Sequence, residues 1–443
     1  MESHSSQCAR GVGYATMLLW QVSIQGQEQM PIEWRSVRCI LLVLILTSMS
    51  QAQLNDPATS PIVDANSRFA FKLFKQLTND NPQHNIVVAP TGLSLTFGLL
   101  DNGSDPETRR EIESAFEFTG MDVLQINDGF AALRKEMDLV PPPPQKKGVK
   151  GGSPAPLASD PNRLVIADSL WGHKYFSAAF RTTSRNYYGL DLERLLPTSS
   201  PSAQVSRWAS KKAHTNIPIL MGTIAQGNFL LVDVTRFHSR WSCEFDVSMT
   251  KPAPFTLLTG LKKNVPMMHQ ERKFDYLEGV KFQAVVLPYR QGSSMYVFLP
   301  STESSLKELE QTLSARNWQE WVSQFRSREG MLGLPKFKIG TSFDAGAALQ
   351  ELGVRRIFEE LAALRPVIGI EGARLTEARQ VTDVSVDEKE TEAISVTIVG
   401  GVVGGIGAEP PKPFEMIVNR PFFFAIRHNS TGQLLFLGAV VEP

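Results

Sequence analysis

The C-terminal segment 420–443 constrains the fold more than any other stretch of this chain. Phe422 to Ile426 is an aromatic and apolar run of the kind that forms buried strands. Asn429 to Gly432 has the composition of a turn, and Leu434 to Val441 is a second apolar run. The pattern predicts a β-hairpin of two buried strands at the end of the protein.

Composition and charge exclude some partners. The 443 residues are enough for one large domain or two medium ones. With 42% hydrophobic and 20% charged residues, the chain resembles ordinary globular proteins. Lys+Arg and Asp+Glu both total 45, so bulk charge favours neither nucleic acid nor an anionic membrane as a partner.

The N-terminal region reads as a secretory signal. Basic residues follow Met30, a short apolar core spans 40–46, and small residues lie at 50–52, where a signal peptidase cuts. This core is too short to cross a bilayer. We expect residues 1–29 to be an upstream extension, 30–52 the signal peptide, and the mature protein to be extracellular, or periplasmic in a bacterium.

The mature chain is expected to form one domain, 53–443. Signal cleavage would remove Cys8 and Cys39 and leave only Cys243, so no intrachain disulfide could form. Residues 140–161 are rich in proline, glycine and lysine and are predicted to be a disordered insertion. Its lysines could hold a polyanion, although a solvated loop is the simpler interpretation.

Hydrophobic periodicity places helices mostly early and strands mostly late. Helices are predicted at 64–77, 93–100, 107–118, 129–139, around Trp208 and at 306–325. Strands are predicted at 85–89, 163–171, 229–234, 285–289 and 295–300. This order favours an α+β fold over alternating βαβ units.

Motifs of catalysis are missing. The sequence contains neither Gly-x-Ser-x-Gly nor His-Glu-x-x-His, and Gly222–Gly227 has phosphate-loop spacing without the following Lys-Ser/Thr. One mature cysteine cannot build a thiolate zinc cluster. The chain is therefore predicted to be no enzyme and to need no cofactor or metal.

Several blocks, in order, resemble the serpin family. They are Asn85–Pro90, Val205–Lys212, Phe237–Trp241, Leu334–Ile339 with Leu352–Val354, and the C-terminal hairpin with Arg420-Pro-Phe and Phe436-x-Gly-x-Val. The resemblance covers roughly Asp64 to Pro443. It implies the serpin fold, an α+β arrangement of three β-sheets with surrounding helices and an exposed reactive-centre loop, and it implies inhibition of a serine protease.

Residues 388–413 resemble the family's hinge and reactive-centre loop. The hinge comprises Glu388, Lys389, Glu390, Thr391, Glu392, Ala393, Ile394, Ser395, Val396 and Thr397. In inhibitory serpins a protease attacks this loop as a substrate. The cleaved loop then inserts as a new central strand of the main sheet and carries the acyl-linked protease with it.

The loop sequence itself suits insertion. Small residues, Thr391, Ala393, Ser395 and Thr397, alternate along one face of the expected strand. No charge occurs from Ala393 to Ala408, so insertion buries no unpaired ion. No proline lies between Glu388 and Glu409, so every amide can donate. The alternative is a glycine-rich loop that is merely cut.

Two ways of counting locate the attacked bond differently. Counting forward from the hinge gives Gly404–Gly405, within a window that also contains Val402, Val403 and Ile406. Counting back from Pro421 gives a bond near Pro410. We prefer the hinge count, because the inserted strand must match the length of the sheet.

The same window indicates the target. No Lys or Arg lies between Lys389 and Lys412, which argues against trypsin-like proteases. Small and β-branched residues suit an elastase-like or subtilisin-like serine protease, and the family also admits a cysteine protease. The protein is expected to be a monomer, and the uncharged run Ile398–Val403 carries a risk of loop–sheet polymers.

The chain departs from the family at positions that support sheet opening. Asp233 lies where the family has asparagine, and Gln380 lies where it has histidine. Ala89 and Gly92 replace two serines of the family. We predict that Asp233 and Gln380 form a substitute pair, with Trp241 of the Phe237–Trp241 block also supporting sheet opening.

The hinge departs as well. Glu390 stands where the family has glycine, whose backbone swings with the least steric resistance. This favours the alternative function, that of a non-inhibitory serpin that carries or binds a ligand.

Overall fold

Two β-sheets organise the part of the chain that the structure describes. The computed structural model describes residues 59–137, 164–173, 176–213, 216–217, 219, 229–237, 239–359, 374–388 and 412–443. All of them belong to one unit, Asn55–Pro443. The predicted extension 1–29, signal peptide 30–52 and insertion 140–161 lie outside the described residues, so these three predictions stay predictions.

The helices agree with the periodicity at most places. They are α1 Thr59–Asp80, α2 Pro90–Asp101, α3 Pro106–Ala115, α4 Val123–Glu136, α5 Ala178–Thr183, α6 Pro201–Ala213, α7 Leu306–Thr312, α8 Ala315–Gln324, α9 Ala345–Glu351 and α10 Arg356–Glu359. Within the described ranges, no helix is both long enough and apolar enough to cross a membrane.

The strands are β1 Ile86–Val88, β2 Val165–Gly172, β3 Asp191–Arg194, β4 Phe229–Phe237, β5 Lys251–Thr256, β6 Lys262–Glu278, β7 Phe282–Pro288, β8 Ser293–Pro300, β9 Arg326–Pro335, β10 Phe337–Asp344, β11 Leu375–Val386, β12 Phe414–Ile417, β13 Phe422–His428 and β14 Leu434–Val440. Nine of them form one sheet in the order β1-β14-β13-β8-β7-β6-β9-β12, with β5 on β6. The other five form a sheet in the order β10-β11-β4-β2-β3.

The α+β class agrees with the sequence. Three sheets are expected for a serpin, whereas hydrogen bonding joins the described strands into two. The reason is β6, whose 17 residues pair with three other strands and so join regions that would otherwise be separate sheets. It pairs with β5 near its start, with β9 from Met267 to Tyr276, and with β7 near its end.

The predicted C-terminal hairpin is confirmed. β13 and β14 pair antiparallel from Phe422↔Val440 to Arg427↔Leu434. Phe422, Phe423 and Phe424 are fully buried. Apolar side chains on both faces need partners on both faces, and the hairpin accordingly lies inside the nine-stranded sheet, between β1 and β8.

The predicted helix 306–325 is wrong as a single element. Leu313 adopts an extended conformation and ends α7. The hydroxyl of Ser314 accepts a hydrogen bond from the Asn317 amide and so starts α8 anew. Apolar residues repeat at helical spacing in both helices, so the hydrophobic periodicity alone did not reveal the break.

Helix α2 is the central helix of the molecule. All twelve of its residues are buried. It packs against β14 of the nine-stranded sheet and against β2 and β4 of the five-stranded sheet. A helix that is buried on every side must be surrounded by protein. Here the first turn of α2 lies beneath the five-stranded sheet.

Candidate functional site

A parallel pairing lies in the middle of the five-stranded sheet. β11 and β4 run side by side in the same direction, from Leu375↔Phe229 to Val384↔Phe237. The neighbouring pairs, β10 with β11 and β2 with β4, are antiparallel. We call the β4–β11 pairing the junction; the predicted reactive-centre loop begins directly after β11.

Side chains on β4 alternate between two environments. Leu230, Val232 and Val234 face α6 in a small apolar cluster that also contains Trp208. The intervening positions face the main core, and among them Asp233 stands where an apolar residue is expected. The break in the apolar pattern therefore lies on the face that packs against α2.

A row of three polar side chains crosses the sheet at this level. Gln380 of β11 lies opposite Asp233 of β4, which in turn lies opposite Asp168 of β2. Residues opposite each other in a sheet point to the same face. We call these three residues the polar row; each is buried, and Asp233 and Gln380 are fully so.

Gln380 ties the junction to α2. Its Nε2 donates to Asp233 Oδ2 at 2.7 Å and to the Ala89 carbonyl at 2.8 Å. Its Oε1 accepts from the Ala89 amide at 3.0 Å. Thr235 Oγ1 donates to Asp233 Oδ1 at 2.9 Å. The predicted Asp233–Gln380 pair is thus observed; its role in sheet opening stays a prediction.

The two carboxyl groups of the polar row resist ionisation together. Burial raises the pKa of Asp233 to about 7, against the hydrogen bonds from Gln380 and Thr235. Burial and then the Asp233 carboxyl hold the pKa of Asp168 well above its usual range, while Arg134 opposes them. Asp168 Oδ1 has no hydrogen-bond partner among the described residues.

The absence of a side chain at Gly92 makes room for the carboxyl pair. A Cβ at this position in α2 would lie 2.4 Å from Asp233 Oδ2 and 2.7 Å from Asp168 Oδ1. The two oxygens are therefore within about 5 Å of each other, a range in which like charges oppose each other's ionisation. A serine here, as in the family, would not fit beside the pair.

Trp241 lies elsewhere. Its Nε1 donates to the Asp387 carbonyl at 2.9 Å, and its ring stacks on Tyr289 with centroids 4.3 Å apart. Gln380 and Asp387 are separated by roughly 23 Å of strand, at about 3.3 Å per residue. The structure therefore brings Asp233 and Gln380 together and places Trp241 at the end of β11.

Glu388, the first predicted hinge residue, is anchored. It is 5% exposed, and its Oε2 lies 2.6 Å from Lys336 Nζ. The Phe245 amide donates to its carbonyl at 3.1 Å. Burial raises the pKa of Glu388, but the hydrogen bonds to its carboxylate, led by that from Lys336, and the Lys336 charge together outweigh burial, so the pKa lies below the ordinary value. These contacts anchor the chain up to and including Glu388.

The chain is held again at β12, beyond the predicted loop. β12 pairs parallel with β9 from Phe414↔Gly330 to Ile417↔Gly333. The Phe414 ring stacks on Tyr276 with centroids 4.0 Å apart. The rest of the predicted hinge, Lys389–Thr397, and the predicted bond window, Val402–Ile406, lie outside the described residues.

Sequence reasoning missed Asp168 and Arg134. Asp168 is the only acidic residue within β2, whose last six residues are buried, and that isolation was a usable signal. Arg134 gave no comparable signal, because a basic residue near a helix end is common. Within the part of the chain that the structure describes, no group of three His, Cys, Asp or Glu is placed to hold a metal.

Comparison with known proteins agrees with this architecture. The sequence profile of the family described as Serpin (serine protease inhibitor) matches residues 64–443. The leukocyte elastase inhibitor of Bos taurus is 28% identical over 396 residues, which cover 86% of this chain and 98% of that protein.

Solved structures share the fold at lower identity. The mouse protein-Z dependent protease inhibitor has a TM-score of 0.74 at 23% identity, covering 88% of this chain and 100% of that chain. Human thyroxine-binding globulin, complexed with thyroxine, has a TM-score of 0.73 at 23% identity, covering 87% and 99%. With the family profile matching from Asp64 to the last residue, the chain belongs to the serpin family.

Proposed function

We propose that this protein is a secreted suicide-substrate inhibitor of serine proteases of the elastase or subtilisin type. A target protease would cleave the loop near Gly404–Gly405. The freed loop would insert into the junction as a new strand and trap the acyl-linked protease. The observation that carries this proposal is the direct parallel pairing of β4 and β11 immediately before the loop.

The direction of the strands supports insertion at the junction. A segment that follows β11 and packs beside it after a tight turn must run antiparallel to β11. β4 is parallel to β11, so the same segment would also run antiparallel to β4. One inserted strand would therefore replace one parallel pairing by two antiparallel pairings, which are slightly more stable per residue.

The length of β11 supports the hinge count. β11 has 12 residues. A strand of the same length that begins at Thr391 ends at Val402. A bond at Gly404–Gly405 lies directly beyond that strand, whereas a bond near Pro410 would leave a long connection outside the sheet.

The two anchors explain why cleavage would be needed. The chain is held at Glu388 by Lys336 and again at Phe414 by β9. With both ends fixed, an intact loop cannot run the full length of the junction without removing β12 from its sheet. Cleavage frees one end and makes full insertion possible.

The target class follows from the loop sequence. The window Val402–Ile406 offers only small and β-branched side chains, which suit a shallow apolar specificity pocket. The relative named leukocyte elastase inhibitor supports the same class. Secretion belongs to this proposal; N-terminal sequencing of protein recovered from the medium should begin at Gln53, and a start at Met1 would contradict it.

The first experiment is incubation of residues 53–443 with pancreatic elastase and with subtilisin, followed by a denaturing gel. We expect a covalent band at the summed mass of inhibitor and protease. Mass spectrometry of that band gives the attacked bond. Complete cleavage without any such band, for both proteases, would contradict the proposal.

A substitution tests the register of the loop. Gly404→Arg should convert the protein into an inhibitor of trypsin, because trypsin cleaves after arginine. The matched control is Gly407→Arg, which moves the cut three residues along the same loop. It should be cut by trypsin and trapped poorly. Equal trapping by both variants, or trapping by the control alone, would refute the Gly404–Gly405 assignment.

A second function, ligand carriage, has its own support. Leu277, Phe282, Leu309 and Trp321 line a pocket of about 710 Å³ between the β6–β7 turn and helices α7 and α8. The neighbour named thyroxine-binding globulin was solved with a small ligand, and Glu390 replaces the hinge glycine. Loop cleavage without a rise in melting temperature would favour this function, whereas a large rise would favour insertion.

A further inference from the structure

The carboxyl pair of the polar row lies where the sheet must open. Asp233 is on β4 at the junction itself, and Asp168 is its neighbour on β2. Gln380 reaches Asp233 across the junction at 2.7 Å. An incoming strand must separate Gln380 from Asp233, so the charge of the pair and the opening of the sheet are physically connected.

We propose that Asp168 and Asp233 form a protonation-controlled latch. The junction stays closed while the pair holds a proton, and it can open when both carboxyls are ionised. The latch goes beyond protease inhibition, since it concerns when the sheet can accept a strand. It rests on the proposed function only for the site of insertion.

Hydrogen bonds assign the retained proton to Asp168. Asp233 accepts from Gln380 and from Thr235, which are interactions that favour a carboxylate. Asp168 Oδ1 accepts no hydrogen bond within the described residues, so no hydrogen bond would stabilise a negative charge on that oxygen. Of the two carboxyls in the closed sheet, Asp233 therefore ionises first, and Asp168 keeps its proton to higher pH.

Other charged side chains lie on the Asp168 side of the pair, where a cavity is lined by Asp168 together with Arg181, Arg185, Glu193 and Lys212. From α4, Arg134 favours ionisation of Asp168, and from β3, Asp191 opposes it. The first turn of α2 presents Gly92 and no ionisable side chain, although its amide dipoles favour one negative charge nearby. From β11 the facing side chain is Gln380, which does not titrate. One charge is thus accommodated, and a second is opposed.

The direction of the pH effect follows from linkage. Burial and mutual repulsion raise the pKa values of both carboxyls in the closed sheet. Opening of the sheet admits water to the pair and lowers those pKa values toward the ordinary range. The closed state therefore binds the proton more tightly, and rising pH shifts the equilibrium toward the open state.

The test measures opening without any protease. The intact protein is mixed with a synthetic acetylated peptide of the sequence Thr391–Val402, labelled with a fluorophore, and peptide uptake is timed between pH 5.5 and 8.5. Glu392 is the only charged residue of this peptide and is ionised throughout the range. We expect uptake to accelerate by up to about tenfold per pH unit and to level off once the pair is ionised.

Asp168→Asn imitates the neutral form and keeps every hydrogen bond of Asp233. It should make uptake slow and independent of pH. The matched control is Asp101→Asn at the far end of α2, where burial also raises the pKa of a carboxyl to about 7. This control should retain the pH profile of the unmodified protein.

A flat profile in the unmodified protein, or an unchanged profile in Asp168→Asn, would overturn the latch. Should that variant fail to fold, amide exchange in the unmodified protein decides. Exchange in β4 and β11, normalised to exchange in the β13–β14 hairpin, should rise with pH, and a constant ratio would refute the proposal. If peptide uptake depends strongly on pH but no protease is trapped, the latch is supported and the proposed inhibition is rejected.

Discussion

Replacing Gln380 by alanine tests whether the polar row holds the junction together. The substitution removes the amide group that bonds Asp233 Oδ2 and both backbone atoms of Ala89. Gln380 is fully buried, so water does not reach these three partners in the folded protein. Each of them is left unsatisfied beside a small cavity.

The expected loss of stability can be worked out from these contacts. An unsatisfied buried polar group costs about 1 to 3 kcal/mol, and water entering the vacated space would recover part of this cost. We therefore expect the free energy of unfolding to fall by about 3 kcal/mol. With an unfolding entropy of about 2.1 cal/mol/K per residue over roughly 390 residues, this lowers Tm by about 4 °C.

The assay is thermal unfolding followed by circular dichroism, with two further variants. Gln380→Met keeps most of the side-chain volume and removes the hydrogen bonds, so it separates the polar loss from the cavity and should also lower Tm. Gln324→Ala, at an exposed position of α8, should change stability by less than about 0.5 kcal/mol. An unchanged Tm in both Gln380 variants would refute the structural importance of the polar row.

Two further predictions concern the end of β11. Trp241→Phe keeps the ring on Tyr289 and loses the hydrogen bond to the Asp387 carbonyl, so urea unfolding should show a loss of about 1 kcal/mol; unchanged stability would contradict this role. Lys336→Met removes the partner of Glu388, whose depressed pKa adds stability above the unfolded value near 4.5. The variant should therefore lose about 1 kcal/mol at pH 7, a difference that vanishes as the pH falls through the folded pKa of Glu388. A difference that persists at low pH would exclude the ion pair as its cause.

Local pattern was sufficient for most elements. The apolar runs around Phe423 and Leu435 required a buried hairpin, and the absence of polar faces near Leu95 required a helix surrounded by protein. Local pattern was insufficient at Ser314, where one helix was predicted instead of two. A helix cap between two helices does not interrupt the helical spacing of the apolar residues.

The candidate site was predictable only in part. The positions of Asp233 and Gln380 were found by comparison with the family pattern, and their contact follows from the register of β4 with β11. Asp168 was not found, and Gly92 was noted only as a departure from the family, because their proximity to Asp233 arises from the packing of β2 and α2. Trp241 was grouped with them by family role, although it lies at the far end of β11.

The sequence by itself determined many of the helices and strands, the C-terminal hairpin among them, the family, and the uncharged, proline-free loop, because these depend on residues close together in the chain. Tertiary structure alone decided that β4 and β11 meet in parallel and that two carboxyl groups share one buried space. Those features arise between segments more than 60 residues apart along the chain, where only the packing of sheet against helix sets the distances. The site of the proposed insertion and the carboxyl pair of the proposed latch are therefore properties of the fold.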